Sequence, residues 1–261
     1  MELTGLQNPQ VKAAADLKQK KYRTKSGLFL AEGLRTVEEA IAAKQVESIF
    51  YTPIEDERTR SALEVAAAQG IKLFCVTEAV MKKISDTETP QGIIAVCNMT
   101  HLNLEELLLS GRMLLVLDRV QDPGNIGTML RTADAAGVGG VVLLSGSADA
   151  YGTKTVRASM GSLFPLPVLQ GVTEENFVTK AKDLGYELLV TALEGAVSLY
   201  KADLKGRIAF VMGNEANGVS ESLLEVADKK VFIPMQGRAE SLNVAMAAGV
   251  IMFEALRRRL K

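Results

Sequence analysis

Three segments of this chain share one form: an apolar run, a tight glycine-bearing turn, and a polar cluster beside a helical pattern. They read LDRVQDPGNIGTMLRTADAAG (117–137), VMGNEANGVS (211–220) and IPMQGRAESLNVAMAAG (233–249). A short, continuous apolar run suits a strand buried on both faces, as in a parallel sheet covered by helices. In such a sheet ligands bind at the carboxyl ends of the strands. Three strand ends carrying Asn, Glu, Ser or Arg therefore predict one composite site in an α/β domain.

The remaining pattern divides the chain in two. Asn8-Pro9 predicts an N-cap followed by proline in the first helical turn, with the helix running to about Lys21. A strand is expected over 27–33, then a helix to about Ala43 with Val37, Ala40 and Ile41 on one face. Another strand follows at 47–52, a helix at 57–69 closed by Gly70, and strands at 71–76 and 92–97. This series predicts a small α/β domain over 1–105, joined to the next through 98–112.

The second domain is expected over 106–261. Its strands are read at 113–118, 141–145, 187–192, 208–213 and 230–234. Its helices are read at 125–136, near 153–160, at 174–184, near 220–226 and from about Ser241 onward. The last helix is apolar nearly all round and carries Ala245, Ala247, Ala248 and Gly249. That pattern predicts burial on more than one side, as at a symmetric dimer interface.

Composition removes several kinds of chemistry. His101 is the only histidine, so a histidine-rich metal site is excluded, and no G-x-S-x-G elbow accompanies it for a serine triad. Cys75 and Cys97 lie in apolar runs and read as buried free thiols. The opening MELTGLQNPQVK lacks the apolar core of a signal peptide, and no run is long enough to span a bilayer. The expected location is the cytoplasm, with neither membrane nor metal as partner.

A formal net charge of −1 argues against a generic polyanion binder. Positive charge is nevertheless clustered at Lys18, Lys20, Lys21, Arg23 and Lys25, and again at Arg257, Arg258, Arg259 and Lys261. Each cluster reads either as a solvated helix end or as a phosphate contact. The turn GNEANGVS has Walker-like glycine spacing, but Val219 stands where the phosphate-binding lysine belongs. No segment supplies G-x-G-x-x-G after a strand, so standard ATP and NAD sites are not expected.

The three motifs resemble those of the SpoU (TrmH) family of RNA 2′-O-ribose methyltransferases. Asn125 and Arg131 match the first motif. Gly213, Asn214, Glu215 and Gly218 match the second, and Ile233, Pro234, Met235, Ser241, Leu242, Asn243 and Val244 the third. The likeness covers about 113–258. More weakly, the first domain, with FLAEGLRTVEEA, looks like the family's substrate-binding module, similar to ribosomal protein L30.

The resemblance implies an α/β fold with a smaller N-terminal L30-like domain and a C-terminal parallel-sheet methyltransferase domain of the SPOUT class. That domain is implied to hold a trefoil knot, which chain physics alone would argue against. The resemblance further implies a homodimer, S-adenosylmethionine as cofactor and RNA as partner, with 23S rRNA favoured and tRNA as the alternative. Implied catalytic residues are Arg131, Asn125, Glu215, Ser241 and Asn243. Implied cofactor contacts are Gly213, Asn214, Ile233, Met235, Ser241 and Leu242. Candidate RNA contacts are Lys18, Lys20, Lys21, Arg23, Lys25 and Arg35, with Glu32 either beside them or supporting the next helix.

Arg131 is expected to stabilise the developing 2′-oxyanion, because a guanidinium stays protonated and is a poor base. Asn125 is expected to orient Arg131 or the ribose, and Glu215 to pair with Arg131 or the substrate. Two rival readings remain: a non-catalytic RNA-binding member of the fold, and an enzyme acting on a small molecule.

Overall fold

The computed structural model describes residues 2–53, 56–238 and 241–260. The chain divides into two compact units. One joins the chain up to Thr100 with Tyr151–Pro165, and the other joins His101–Ala150 with the chain from Leu166 onward.

The first unit opens with β1 (Glu2–Leu3) and α1 (Pro9–Asp16). Asn8 caps α1, its side chain accepting from Gln10 N at 2.8 Å. The single helix expected to reach Lys21 is instead two, because α2 (Lys20–Ser26) starts afresh. Arg23 is buried and donates to the carbonyls of Leu17 and Lys18 at 2.7 and 2.8 Å. It satisfies carbonyls just beyond the end of α1. Gly27, at φ 69°, then turns the chain out of α2.

There follow β2 (Leu28–Glu32), α3 (Leu34–Ala42), β3 (Val46–Tyr51), α4 (Glu57–Ala68), β4 (Lys72–Val76), α5 (Glu78–Ile84) and β5 (Ile93–Asn98). They form a five-stranded sheet in the order β1-β4-β3-β5-β2. β5 alone runs opposite to the other four strands. Leu17, Leu30, Phe50, Phe74, Met81 and Ile94 belong to the core on one face.

The second unit contains α6 (Leu104–Leu109), β6 (Leu114–Leu117), α7 (Pro123–Ala135) and β7 (Gly140–Leu144). The chain leaves it for α8 (Thr153–Ser159) and returns with β8 (Val168–Val172), α9 (Glu174–Asp183), β9 (Glu187–Thr191), β10 (Val197–Ser198), β11 (Ile208–Met212), α10 (Glu221–Val226), β12 (Lys229–Phe232) and α11 (Val244–Arg259). The stretch read as a joint holds α6, started by a capping box of Asn103 and Glu106. The sheet order is β10-β12-β9-β11-β6-β7-β8, and every pairing is parallel. Leu114, Val116, Val142, Phe177, Leu188 and Val211 anchor its core.

The sequence reading placed all of 106–261 in one domain, whereas Tyr151–Pro165 packs with the first unit. Aromatic packing explains the excursion. The Phe29 ring on β2 lies 4.9 Å from Tyr151 and 5.9 Å from Phe164, centroid to centroid. Glu32, also on β2, is buried and accepts hydrogen bonds from Ser85 and Thr87, with Arg157 of α8 4.0 Å away. Its carboxylate is engaged inside this unit and is not presented as an RNA contact.

Candidate active site

The loops that follow β9, β11 and β12 meet the start of α11 around a cleft of about 860 Å³. Gly213, Asn214, Ile233, Met235, Ser241 and Leu242, the six implied cofactor contacts, all border it, as do Glu215 and Asn243. Thr191, Leu193, Glu194 and Lys230 border it as well. The sequence reading did not single these out. The segment ELLVTALEG has the same strand-then-turn form as the three motifs, but lacks their polar cluster.

Gly213 has no room for a side chain: a Cβ there would lie 2.1 Å from Gly218 C and Val219 N. The turn is closed by reciprocal backbone hydrogen bonds between Asn214 and Gly218, both 2.9 Å. Asn214 Oδ1 accepts from Ala216 N and Asn217 N at 3.0 Å, and its Nδ2 donates to the Arg119 carbonyl at 2.9 Å. One asparagine thus folds its own loop and ties it to the strand end before α7.

The three motifs are joined through a single side-chain relay. Asn243 Nδ2 donates to Asn125 Oδ1 at 3.0 Å, and Asn125 Nδ2 donates to Glu215 Oε1 at 3.1 Å. Glu215 also accepts from Gln121 N and Asp122 N at 3.1 and 3.0 Å. Partial burial pushes the Glu215 carboxyl up. The hydrogen bonds from Asn125, Asp122 and Gln121 outweigh it, so the net shift is downward and the group stays ionised.

Glu215 therefore pairs with Asn125 and backbone amides, and Asn125 orients Glu215 and Asn243; neither is bonded to Arg131. The helix expected from about Ser241 starts at Val244, and Asn243 caps it, accepting from Ala245 N and Met246 N at 2.9 and 3.4 Å.

Asp118 supplies a link the sequence reading missed. It is buried at the end of β6 and accepts from Ser220 N at 2.7 Å. Arg119 forks onto the same carboxylate from a left-handed backbone, φ 54°. A buried Asp closing a strand was the available signal, since an unpaired carboxylate there would be costly.

Arg131 lies on the exposed side of α7, six residues beyond Asn125 and so about 9 Å along the axis. Among the described residues it makes no hydrogen bond or ion pair, and it does not border the cleft. It sits on a helix that packs against α11, where Thr132 Cγ2 comes 3.6 Å from a Cβ built at Gly249.

The basic candidates separate by environment. Lys18 Nζ donates to the carbonyls of Lys83 and Ser85, and Arg23 is buried as described above, so both serve the first unit internally. Lys20, Lys21, Lys25 and Arg35 are exposed. In the C-terminal cluster, Arg257 and Arg258 hold Glu254, and Arg258 also donates to the carbonyls of Leu199 and Ala202. Lys261 lies outside the described residues. Cys97 is buried, and burial pushes its thiol up; His101 is exposed. No helix among the described residues is long and apolar enough to cross a membrane.

The model of the SpoU rRNA Methylase family matches residues 112–253. The chain belongs to the SpoU rRNA methylase family. An MRM3-like substrate binding domain matches residues 8–95. The 23S rRNA (guanosine(2553)-2′-O)-methyltransferase RlmP of Bacillus subtilis is 40% identical over 253 residues, which span 97% of this chain and 98% of RlmP. An AdoMet-bound rRNA methyltransferase from Sinorhizobium meliloti superposes with a TM-score of 0.89 at 34% identity, over 100% of this chain and 98% of that one. The SpoU methyltransferase AviRb from Streptomyces viridochromogenes, in complex with the cofactor AdoMet, gives 0.88 at 28% identity, over 98% and 99%.

Proposed function

We propose that this protein is an S-adenosylmethionine (AdoMet)-dependent RNA methyltransferase that methylates a ribose 2′-oxygen of 23S rRNA. The observation that carries the reading is the cleft: residues from the second and third motifs border it, and one relay ties all three together. Its volume lies within the range of about 300–1,000 Å³ usual for small-molecule and cofactor sites. AdoMet-bound neighbours of the same fold support the cofactor. Likeness to RlmP runs the length of both chains, including the N-terminal unit, and this supports rRNA over tRNA.

Bound AdoMet would supply an electrophilic methyl group on a sulfonium leaving group. Gly213 lets the second-motif turn close without a side chain, leaving its backbone at the cleft, where it would hold the ligand together with Asn214, Ile233, Met235, Ser241 and Leu242. The protein then has to align the ribose oxygen and support its negative charge as the proton departs. Arg131, exposed and without a partner among the described residues, would perform that second task. Asn125, Glu215 and Asn243 hold α7, the second-motif loop and α11 in register, and so act as positioning residues.

The homodimer and the trefoil knot belong to the same proposal. Met246 and Phe253 on α11 are 62% and 47% exposed, an apolar face suited to a second copy. β11 lies between β6 and β9 with β12 beyond, an order that demands repeated crossovers near the cleft.

The test is transfer of tritiated methyl from AdoMet to rRNA lacking its natural modifications. Incorporation that is lost in Arg131→Ala supports the proposal. RNA binding without incorporation would favour a non-catalytic member of the fold.

A further inference from the structure

The first unit contains a second cleft, of about 410 Å³, between α1, α2 and one face of the five-stranded sheet. Its floor follows from strand register. Ser48 pairs with Lys72 and Val96 in one row, and Phe50 with Phe74 in the next on the same face. The two phenylalanine rings lie 5.1 Å apart, centroid to centroid. Tyr22 of α2 forms part of the wall, with the Lys21 ammonium 4.7 Å from its ring centroid.

Ser48 is the informative residue. The pairing of β3 with β5 slips between Val46 and Ser48, a bulge that redirects the strand. Ser48 is only 7% exposed and borders the cleft; its hydroxyl makes no hydrogen bond among the described residues and is open to solvent there. A hydroxyl that opens on a cleft without a partner of its own is available to a ligand atom.

We infer that this cleft takes one unpaired base of the RNA substrate; the inference rests on the reading that the substrate is RNA. Sequence-specific RNA recognition works mainly on splayed bases, stacked on aromatic side chains and hydrogen-bonded at their edges. Tyr22 supplies the aromatic wall and Ser48 a hydrogen bond to the base edge. Asp16 and Glu47, also at the cleft, accept from exocyclic amino or ring N–H groups. Lys25 and Lys72 border the cleft, and Lys20 and Lys21 stand exposed on α2, placing cations for the flanking phosphates. The mixture of acids and lysines suits a base with its phosphates better than a purely anionic surface.

The experiment uses the full-length protein and labelled single-stranded octaribonucleotides of each of the four bases, with binding read by anisotropy at fixed salt. Tyr22→Leu is expected to weaken the best-bound oligonucleotide about 5- to 100-fold, while Tyr22→Phe stays within about twofold of the parent. Ser48→Ala is expected to narrow the preference among the four bases. Melting temperatures check folding, and AdoMet affinity is expected to be unchanged in every variant. Equal binding by the parent, Tyr22→Leu and Ser48→Ala overturns the site. So does Tyr22-dependent binding to phosphatidylglycerol vesicles without binding to RNA. A parent protein that binds AdoMet but none of the oligonucleotides overturns the base site alone. Failure to bind AdoMet is scored separately, against the methyl-transfer reading.

Discussion

Asn125 donates its side-chain amide to Glu215 at 3.1 Å, joining two residues 90 positions apart in the chain. With Asn243 donating to Asn125 in turn, the bond fixes α7 against the loop after β11 and the start of α11. Removing the middle member releases both ends. Asn125→Ala is expected to cost about 1–2 kcal/mol of stability, read by denaturant unfolding. Asn125→Asp is expected to be worse, since it faces one carboxylate with another.

Glu215 makes this relay sensitive to pH. Its carboxyl is lowered on folding, so its contribution is fully present above the ordinary value of 4.5. That contribution is lost as pH falls through the depressed folded value. Below pH 4.5 the melting temperature of the parent is expected to fall more steeply than that of Glu215→Gln. Parallel curves would show that Glu215 adds nothing through its charge.

Gly213 tests whether the second-motif turn shapes the cleft proposed to take AdoMet. The atoms a Cβ would strike belong to backbone, and no side-chain rotation relieves the clash. Gly213→Ala is expected to destabilise by about 1–3 kcal/mol and to abolish AdoMet binding measured by calorimetry.

At the far end of α11, Arg257 hydrogen-bonds Glu254. Burial opposes it in part and Arg258 adds to it, leaving the Glu254 carboxyl at about 2. This contribution too is present above the ordinary 4.5 and is lost as pH falls toward 2. Arg258 also donates to the carbonyls of Leu199 and Ala202, and Leu199 borders the cleft proposed to take AdoMet. Glu254→Gln is expected to lower the melting temperature at pH 7 by about 2–4 °C and to weaken AdoMet binding several-fold. Calorimetry on the folded variant checks the second effect.

Much of the second unit was legible because its strands are continuous apolar runs whose ends carry distinctive polar residues. The motif residues that meet at the cleft beside α11, among them Gly213, Ser241 and Leu242, follow from that pattern and the resemblance it carries. Three features were hidden for physical reasons. Arg23 ends α1 by reaching back to Leu17 and Lys18, a tertiary contact that helical periodicity does not encode. Tyr151–Pro165 joins the first unit through ring packing on Phe29, which spacing alone does not reveal. Asn243 serves at once as helix cap and cross-motif donor, two structural duties that the motif match does not reveal.

The charge-supporting role proposed for Arg131 separates chemistry from binding. Arg131→Ala is expected to lower methyl transfer by about 100- to 1,000-fold while AdoMet affinity changes by less than about twofold. A variant with parental turnover would remove Arg131 from the mechanism.

The most direct measurement is nucleoside mass spectrometry of 23S rRNA, transcribed without modifications, after incubation with the protein and isotopically labelled AdoMet. The account predicts one 2′-O-methylated nucleoside carrying the label on its ribose. Label on a base, or no labelled nucleoside from protein shown to bind both AdoMet and the RNA, would contradict it.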